Sequence, residues 1–314
     1  MVSRGNEAGS RGIVYAFLAY GLWGVLPLYF LTVAPTGPWE LVAMRILFSL
    51  LVCAVLLWVT RGWRQFWGHA RNRRTSLLFG LAGALIWVNW TVYVLAVFSG
   101  HVVEAALGYF MNPLVTIFLG VVFLRERLRP LQWVAVGIAL LSVAVLTIAY
   151  GQLPVLALAL AGSFGFYGFV KKQAGPQIDA VSGLTLETIW LAPVAIVQLF
   201  WVGATSGITF AQAGAGHAIL LSLAGVVTAT PLLLFAAAAR RIPLAYLGLI
   251  QFTAPVMQFM VGVLILHEPM PPERLVGFAI VWVACAVMVV DALRHSRDRR
   301  ADARERECDE PVVT

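Results

Sequence analysis

Residues 99–130 read S-G-H-V-V-E-A-A-L-G-Y-F-M-N-P-L-V-T-I-F-L-G-V-V-F-L-R-E-R-L-R-P, and the same plan returns 142 positions later, from Arg241 to Pro272. At that offset Phe110 pairs with Phe252, Pro113 with Pro255, Gly120 with Gly262, Leu124 with Leu266, Glu126 with Glu268 and Pro130 with Pro272, with no gap. In each copy an apolar span carries a proline roughly halfway along, then a glycine, then an acid where the apolar run stops. Proline removes one backbone hydrogen bond inside a helix, so each copy predicts a membrane helix bent at Pro113 or Pro255. The chain is two copies of one unit.

The 314 residues are 61% hydrophobic and 12% charged, with a mean hydropathy of +0.86, more than a soluble core of this size requires. About 20 apolar residues cross a bilayer as a helix. The chain offers ten such runs, near 13–31, 39–60, 77–97, 102–124, 131–149, 153–170, 180–202, 217–238, 244–266 and 274–293. This predicts an all-α polytopic membrane protein with four segments: a tail over 1–12, a first repeat over 13–149, a second repeat over 153–293, and a charged tail over 294–314. The last of these cannot bury a core and is expected to be disordered and cytoplasmic.

The net charge of +7 does not point to nucleic acid, because the basic residues lie in short loops between spans. Twenty of the 22 lysines and arginines fall on one side if the N-terminus is inside; Arg274 and Arg45 are the exceptions. Cytoplasmic loops carry the excess of Lys and Arg, so both termini are expected in the cytoplasm, with the chain in the inner (plasma) membrane. Cys53, Cys285 and Cys308 show no C-x-x-C spacing and make neither a disulfide framework nor a metal site.

Within the spans a few polar residues stand out. Arg45, in the second span, and Glu187, in the seventh, occupy matched positions at the 142-residue offset. A charge at such depth costs about 2.5–3.5 kcal/mol on insertion scales, so it normally faces a partner or a watery cavity. Asn89 and Tyr93 are one turn apart and line either a polar pocket or a plain interhelical contact. Glu104 opens the fourth span, where a helix N-terminus favours an acid in any case, and Asn112 sits just ahead of Pro113. In the ninth span Gln251 and Gln258 are spaced two turns apart. Pro231, behind Thr228 and Thr230, marks another bent segment. Trp23 in the first span belongs either to a packed aromatic belt or to a cavity wall. The histidines His69, His101, His217 and His267 lie near loops and read as solvated.

No nucleotide-binding loop, zinc-protease pattern or calcium loop is present in the sequence. Ala161-Gly162-Ser163-Phe164-Gly165 lacks the first glycine of a nucleophile elbow and lies inside a span, so it reads as helix packing. Five spans per copy is an odd number, so the second copy enters the membrane from the opposite side. Inverted repeats with bent helices and polar groups at mid-depth are the plan of secondary transporters. Two other readings stay open, a membrane-embedded enzyme acting on lipid and a non-transporting membrane partner. The first lacks paired acids, a histidine cluster or a nucleophile with its base, and the second lacks a sizeable soluble domain.

At the level of whole motifs the chain resembles the EamA family of the drug/metabolite transporter (DMT) superfamily, and its RarD branch in particular. The strings that carry the resemblance are A-Y-G-L-W-G-V-L-P-L-Y, M-R-I-L-F-S, N-W-T-V-Y, the span-four string quoted above and T-P-L-L-L-F-A-A-A-A-R-R-I-P-L, with L-E-T-I-W-L-A-P and Q-F-T-A-P. They extend over residues 12–293. The resemblance implies ten helices as two inverted five-helix repeats, a central cavity from spans one to four and six to nine, and export of small metabolites or drug-like compounds without a cofactor. It assigns Trp23, Arg45, Asn89, Tyr93, Glu104, Tyr109, Asn112, Glu187 and Gln251 to that cavity. A secondary transporter of this kind is expected to be driven by a proton gradient or by solute exchange and not to be an enzyme, with a small-molecule substrate, the lipid bilayer, protons and a second copy of the chain as its partners.

Overall fold

The computed structural model describes residues 2–125, 129–150, 153–174, 178–242 and 244–309; Glu126 and Arg127 of the sequence argument lie outside them. Among the described residues the chain is helical, without strands. The helices are α1 (Val2–Thr32), α2 (Pro38–Val59), α3 (Trp63–Arg71), α4 (Arg73–Phe98), α5 (Val102–Leu124), α6 (Pro130–Tyr150), α7 (Val155–Ala174), α8 (Ala180–Thr205), α9 (Ala215–Ser222), α10 (Ala224–Ala239), α11 (Leu244–Ile250), α12 (Thr253–Met260) and α13 (Pro272–Asp309). A π-helical turn, Val261–Ile265, prolongs α12. Ten helical segments among the described residues are long and apolar enough to cross a membrane. The eighth is α9 with α10, and the ninth combines α11, α12 and the π turn.

Local chemistry sets the helix ends. Pro38 opens α2, where its missing N–H costs nothing. Asn72 and Asp179 cap α4 and α8 by accepting from Thr75 N and Ser182 N at 3.1 and 3.0 Å. After α4, Gly100 takes φ +70°, while His101 N and Gly100 N donate to Ala96 O and Val97 O. This left-handed closure favours glycine and lets the chain turn straight into α5.

The repeats interleave. Three pairs of repeat mates pack on each other: α2 with α8, α6 with α13, and α5 with α12. The other large contacts come in swapped couples: α4 on α7 and α10 on α1, α5 on α7 and α12 on α1, α4 on α8 and α10 on α2. A contact made by one copy is made again by its mate, as a two-fold arrangement of inverted copies requires. Glycines permit the closest crossings. A Cβ on Gly108 would lie 2.7 Å from Ala157 O, and one on Gly225 would collide with the backbone of Phe48. The exterior remains apolar, with Ile148 83% and Phe200 76% exposed, as a bilayer-facing surface should be. At the periphery, α6 and α13 are joined by Ser142 Oγ donating to Gly277 O at 2.8 Å.

Several details depart from the sequence reading. Helices α5 and α10 are continuous through Pro113 and Pro231, as a bent but unbroken helix is, whereas the ninth span is interrupted outright at Gln251–Phe252. Pro255 is the third residue of α12 and cannot bond to Gln251 O, which instead accepts from Ala254 N at 3.4 Å. The same proline therefore acts differently in the two copies. The basic stretch between the second and third spans forms α3, whose Phe66 is buried against Leu57, Phe79 and Leu186. The backbone of α13 is helical through to Asp309.

Candidate functional site

Arg45 starts from Pro38 at the head of α2 and lies roughly 10 Å along the helix axis at 1.5 Å per residue. Its side chain is 3% exposed. The guanidinium stacks over Trp90 of α4, 4.3 Å from the ring centroid, and lies 5.5 Å from that of Phe30 of α1. Its Nε donates to Thr228 Oγ1 of α10 at 2.7 Å, while Nη1 is buried with no hydrogen-bond partner. The repeat mate, Glu187 on α8, is 1% exposed and pairs with Lys171 Nζ of α7 at 2.9 Å. Tyr167 joins them: its hydroxyl donates to the Glu187 carboxylate at 3.3 Å and accepts from Lys171 Nζ at 2.9 Å. The two matched charges thus have opposite environments, one neutralised by an ion pair and one cradled by rings.

A row of aromatic side chains connects them. Phe30, Tyr93, Tyr109, Phe164 and Tyr167 follow one another with ring centroids 5.4 to 6.2 Å apart. Midway, Asn89 is locked: its Nδ2 donates to Leu160 O and Ser163 Oγ at 3.1 Å, and its Oδ1 accepts from Tyr109 OH at 3.1 Å. Away from the helix ends, six polar atoms of the spanning segments are buried without a hydrogen-bond partner among the described residues: Arg45 Nη1, Ser49 Oγ, Thr91 Oγ1, Tyr93 OH, Asn112 Oδ1 and Gln258 Oε1. Buried polar groups are nearly always paired, so the unpartnered Arg45 Nη1 and Tyr93 OH, whose side chains both adjoin Phe30, mark a place where a polar molecule fits.

At the end of the bundle opposite the termini, three carboxylates join one repeat to the other. Glu40 of α2 accepts from Thr209 N, Phe210 N and Thr209 Oγ1 at 2.9 to 3.0 Å. Glu104 of α5 accepts from Leu156 N, in the first turn of α7, at 3.2 Å. Glu268 accepts from Val102 N and Val103 N at the head of α5, at 2.6 and 2.8 Å. Beside Glu40, Thr36 Oγ1 lies 2.8 Å from both Thr209 Oγ1 and His217 Nε2, and Val33 O lies 3.0 Å from the same ring nitrogen.

Of the residues marked in the sequence, Arg45, Asn89, Tyr93 and Tyr109 come together, with Asn112 one turn beyond Tyr109. Glu187 lies at the far end of the aromatic row. Trp23 packs edge-on against Tyr20, with centroids 5.3 Å apart, and its carbonyl accepts from Gln258 Nε2 at 3.1 Å. Gln251 is half-buried at the break in the ninth span, between α11 and α12, so it is not stacked on one helix with Gln258 of α12. Glu104 accepts from the first turn of the neighbouring helix α7, away from the Arg45 group. His217, read as solvated, is held between Val33 and Thr36 because α9 starts beside the α1–α2 turn. Glu40, two positions after Pro38, looks in the sequence like an ordinary first-turn acid, and its link across the repeats is not legible there.

An interleaved, inverted ten-helix bundle with charged and unpartnered polar groups buried at mid-depth defines a membrane transporter. The model of the EamA-like transporter family matches residues 10–148. Protein RarD of Streptomyces exfoliatus is 47% identical over 290 residues, covering 92% of this chain and 91% of the relative. Protein RarD of Escherichia coli K12 is 38% identical, covering 91% and 96%, and the uncharacterized transporter YojE of Bacillus subtilis is 37% identical with the same coverage. A solved crystal structure shares the fold with a TM-score of 0.58 at 19% identity, covering 91% of this chain and 98% of its own. The chain belongs to the EamA-like transporter family, in its RarD branch.

Proposed function

We propose that this transporter is a secondary active exporter of small molecules that works by alternating access and is driven by protons. The observation that carries the reading is the Arg45–Glu187 pair of positions: repeat-matched, fully buried, and on α2 and α8, which pack directly on each other. Charges are kept at such depth where a substrate or ion passes. Glu187, with Lys171 and Tyr167, is the proton-handling group, since a carboxylate that gains a proton releases its lysine and loosens the side-chain link between α7 and α8. The three carboxylate clasps close the end opposite the termini, and in this reading that end faces outward, with both termini in the cytoplasm of a bacterial inner membrane. Opening it means parting the Glu40, Glu104 and Glu268 contacts while the mated contacts of the other end form.

The test begins with cells expressing the wild-type chain, the Glu187→Gln variant or an empty vector, whose media are compared by untargeted quantification of small solutes. A solute enriched only by the wild type is then offered to inverted membrane vesicles. Uptake driven by a pH gradient and lost with nigericin supports the reading. No enriched solute, or uptake indifferent to nigericin, would refute it.

A further inference from the structure

Arg45 is the starting point, because every buried or partly buried carboxylate described elsewhere in the bundle already has other donors. Glu187 holds Lys171, Glu40 holds the Thr209–Phe210 segment, Glu104 holds Leu156 N, Glu268 holds the head of α5, and Asp291 holds Arg129 at 2.8 Å. None forms an ion pair with Arg45 among the described residues. Its guanidinium is 97% buried, one edge is spent on Thr228, one face lies on Trp90, and Nη1 is left with donor capacity and nothing to meet it. A buried cation without an anion carries a desolvation penalty that rings repay only in part.

The surroundings of that edge fit one kind of visitor. The Tyr93 side chain is 98% buried, its hydroxyl is also unpartnered, and its ring lies 5.8 Å from Phe30, the ring that flanks Arg45. Tyr29, Tyr93 and Tyr109 are all within electrostatic reach of the guanidinium. Two unsatisfied donors and a full positive charge among neighbouring aromatic rings describe a site for a planar oxyanion on an apolar body.

We infer that the substrate of this transporter is a small organic anion whose carboxylate is bound by Arg45 Nη1 and the Tyr93 hydroxyl, with its apolar part against Phe30, Trp90 and Tyr109. The inference rests on the transporter reading and names the charge class that the same site selects. Lys171–Glu187 is excluded as the anchoring point, since its cation is already neutralised.

The test uses the full chain in lipid nanodiscs and follows tryptophan fluorescence and calorimetry with three probes: benzoate, cyclohexanecarboxylate and the neutral isostere benzamide. Both carboxylates are expected to bind at least tenfold more tightly than benzamide. Arg45→Gln should lower carboxylate affinity tenfold or more and leave benzamide unchanged, and Arg45→Lys should restore part of it. Tyr93→Phe removes only the hydroxyl and keeps the test valid if Arg45→Gln fails to fold; it should weaken the carboxylates severalfold and spare benzamide. Equal binding of benzoate and benzamide to the wild type overturns the inference, as does full benzoate affinity in both Arg45→Gln and Tyr93→Phe. So does a failure of both carboxylates to bind at millimolar concentration by a protein that still exports. Loss of export from the wild type would strike the transporter reading instead.

Discussion

Replacing Glu268 by glutamine probes the clasps most directly, because its two oxygens each take one backbone N–H at the head of α5. The amide keeps one acceptor, turns an N–H2 toward the second N–H, and removes the negative charge that the helix N-terminus favours. A hydrogen bond to a charged group contributes about 1.5–3 kcal/mol. At about 1.4 kcal/mol per factor of ten, the substitution shifts the open-to-closed equilibrium of that end by roughly 10- to 150-fold. Starting from about one open molecule in a hundred, the open share rises to between about 10% and 60%. Spin labels at Ser99 and Gly207, in loops of the two repeats at that end, report the change as a second, longer distance in pulsed-resonance spectra. Cys308 is replaced by serine for the labelling, and the buried Cys53 and Cys285 stay. An unchanged distance distribution in a variant as stable as the wild type would show that the Glu268 contact does not hold that end closed.

Reporters fused after Gly100, Gly151 and Gly207 should read as external and those after Arg73, Lys172 and Arg300 as internal; one reversal breaks the ten-span inverted topology. Lys171→Met leaves Glu187 buried without its cation and should destabilise the protein by about 3–5 kcal/mol in denaturant titration, and Lys171→Met with Glu187→Leu should recover most of that loss. Glu187→Gln should retain substrate binding, measured in nanodiscs, while gradient-driven export falls to background; wild-type rates with the same pH dependence would make the acid structural. Gly225→Ala drives a methyl into the backbone of Phe48 and should cost about 1–3 kcal/mol in thermal unfolding, while Gly21→Ala, which meets nothing within 4 Å, should cost little.

The membrane class, the ten spans and the doubling of the unit were all legible in the chain. Bilayer crossing is a local property of about 20 residues, and the repeat shows as identity at a constant offset. Helix ends were legible for the same reason: Pro38, Asn72, Asp179 and Gly100 act on backbone atoms one to four residues away. The depth of Arg45 and Glu187 followed from counting residues in from the span ends.

What each of those charges meets is another matter, because partners come from helices far apart in sequence. Thr228 lies 183 residues from Arg45, Val102 lies 166 from Glu268, and Thr209 lies 169 from Glu40. Nothing local distinguishes Glu40, which clasps two repeats together, from a first-turn acid that merely sits near a helix end, and the repeat that marks Glu268 does not say that its oxygens reach the head of α5. The prolines make the same point. Pro113 and Pro255 are equivalent by offset, yet one lies inside a continuous helix and the other follows a break, since the neighbours that accept or refuse an interruption differ. Short-range backbone chemistry is written in the order of residues; which buried donor finds an acceptor, and which is left open for a substrate, is decided only when the two copies interleave.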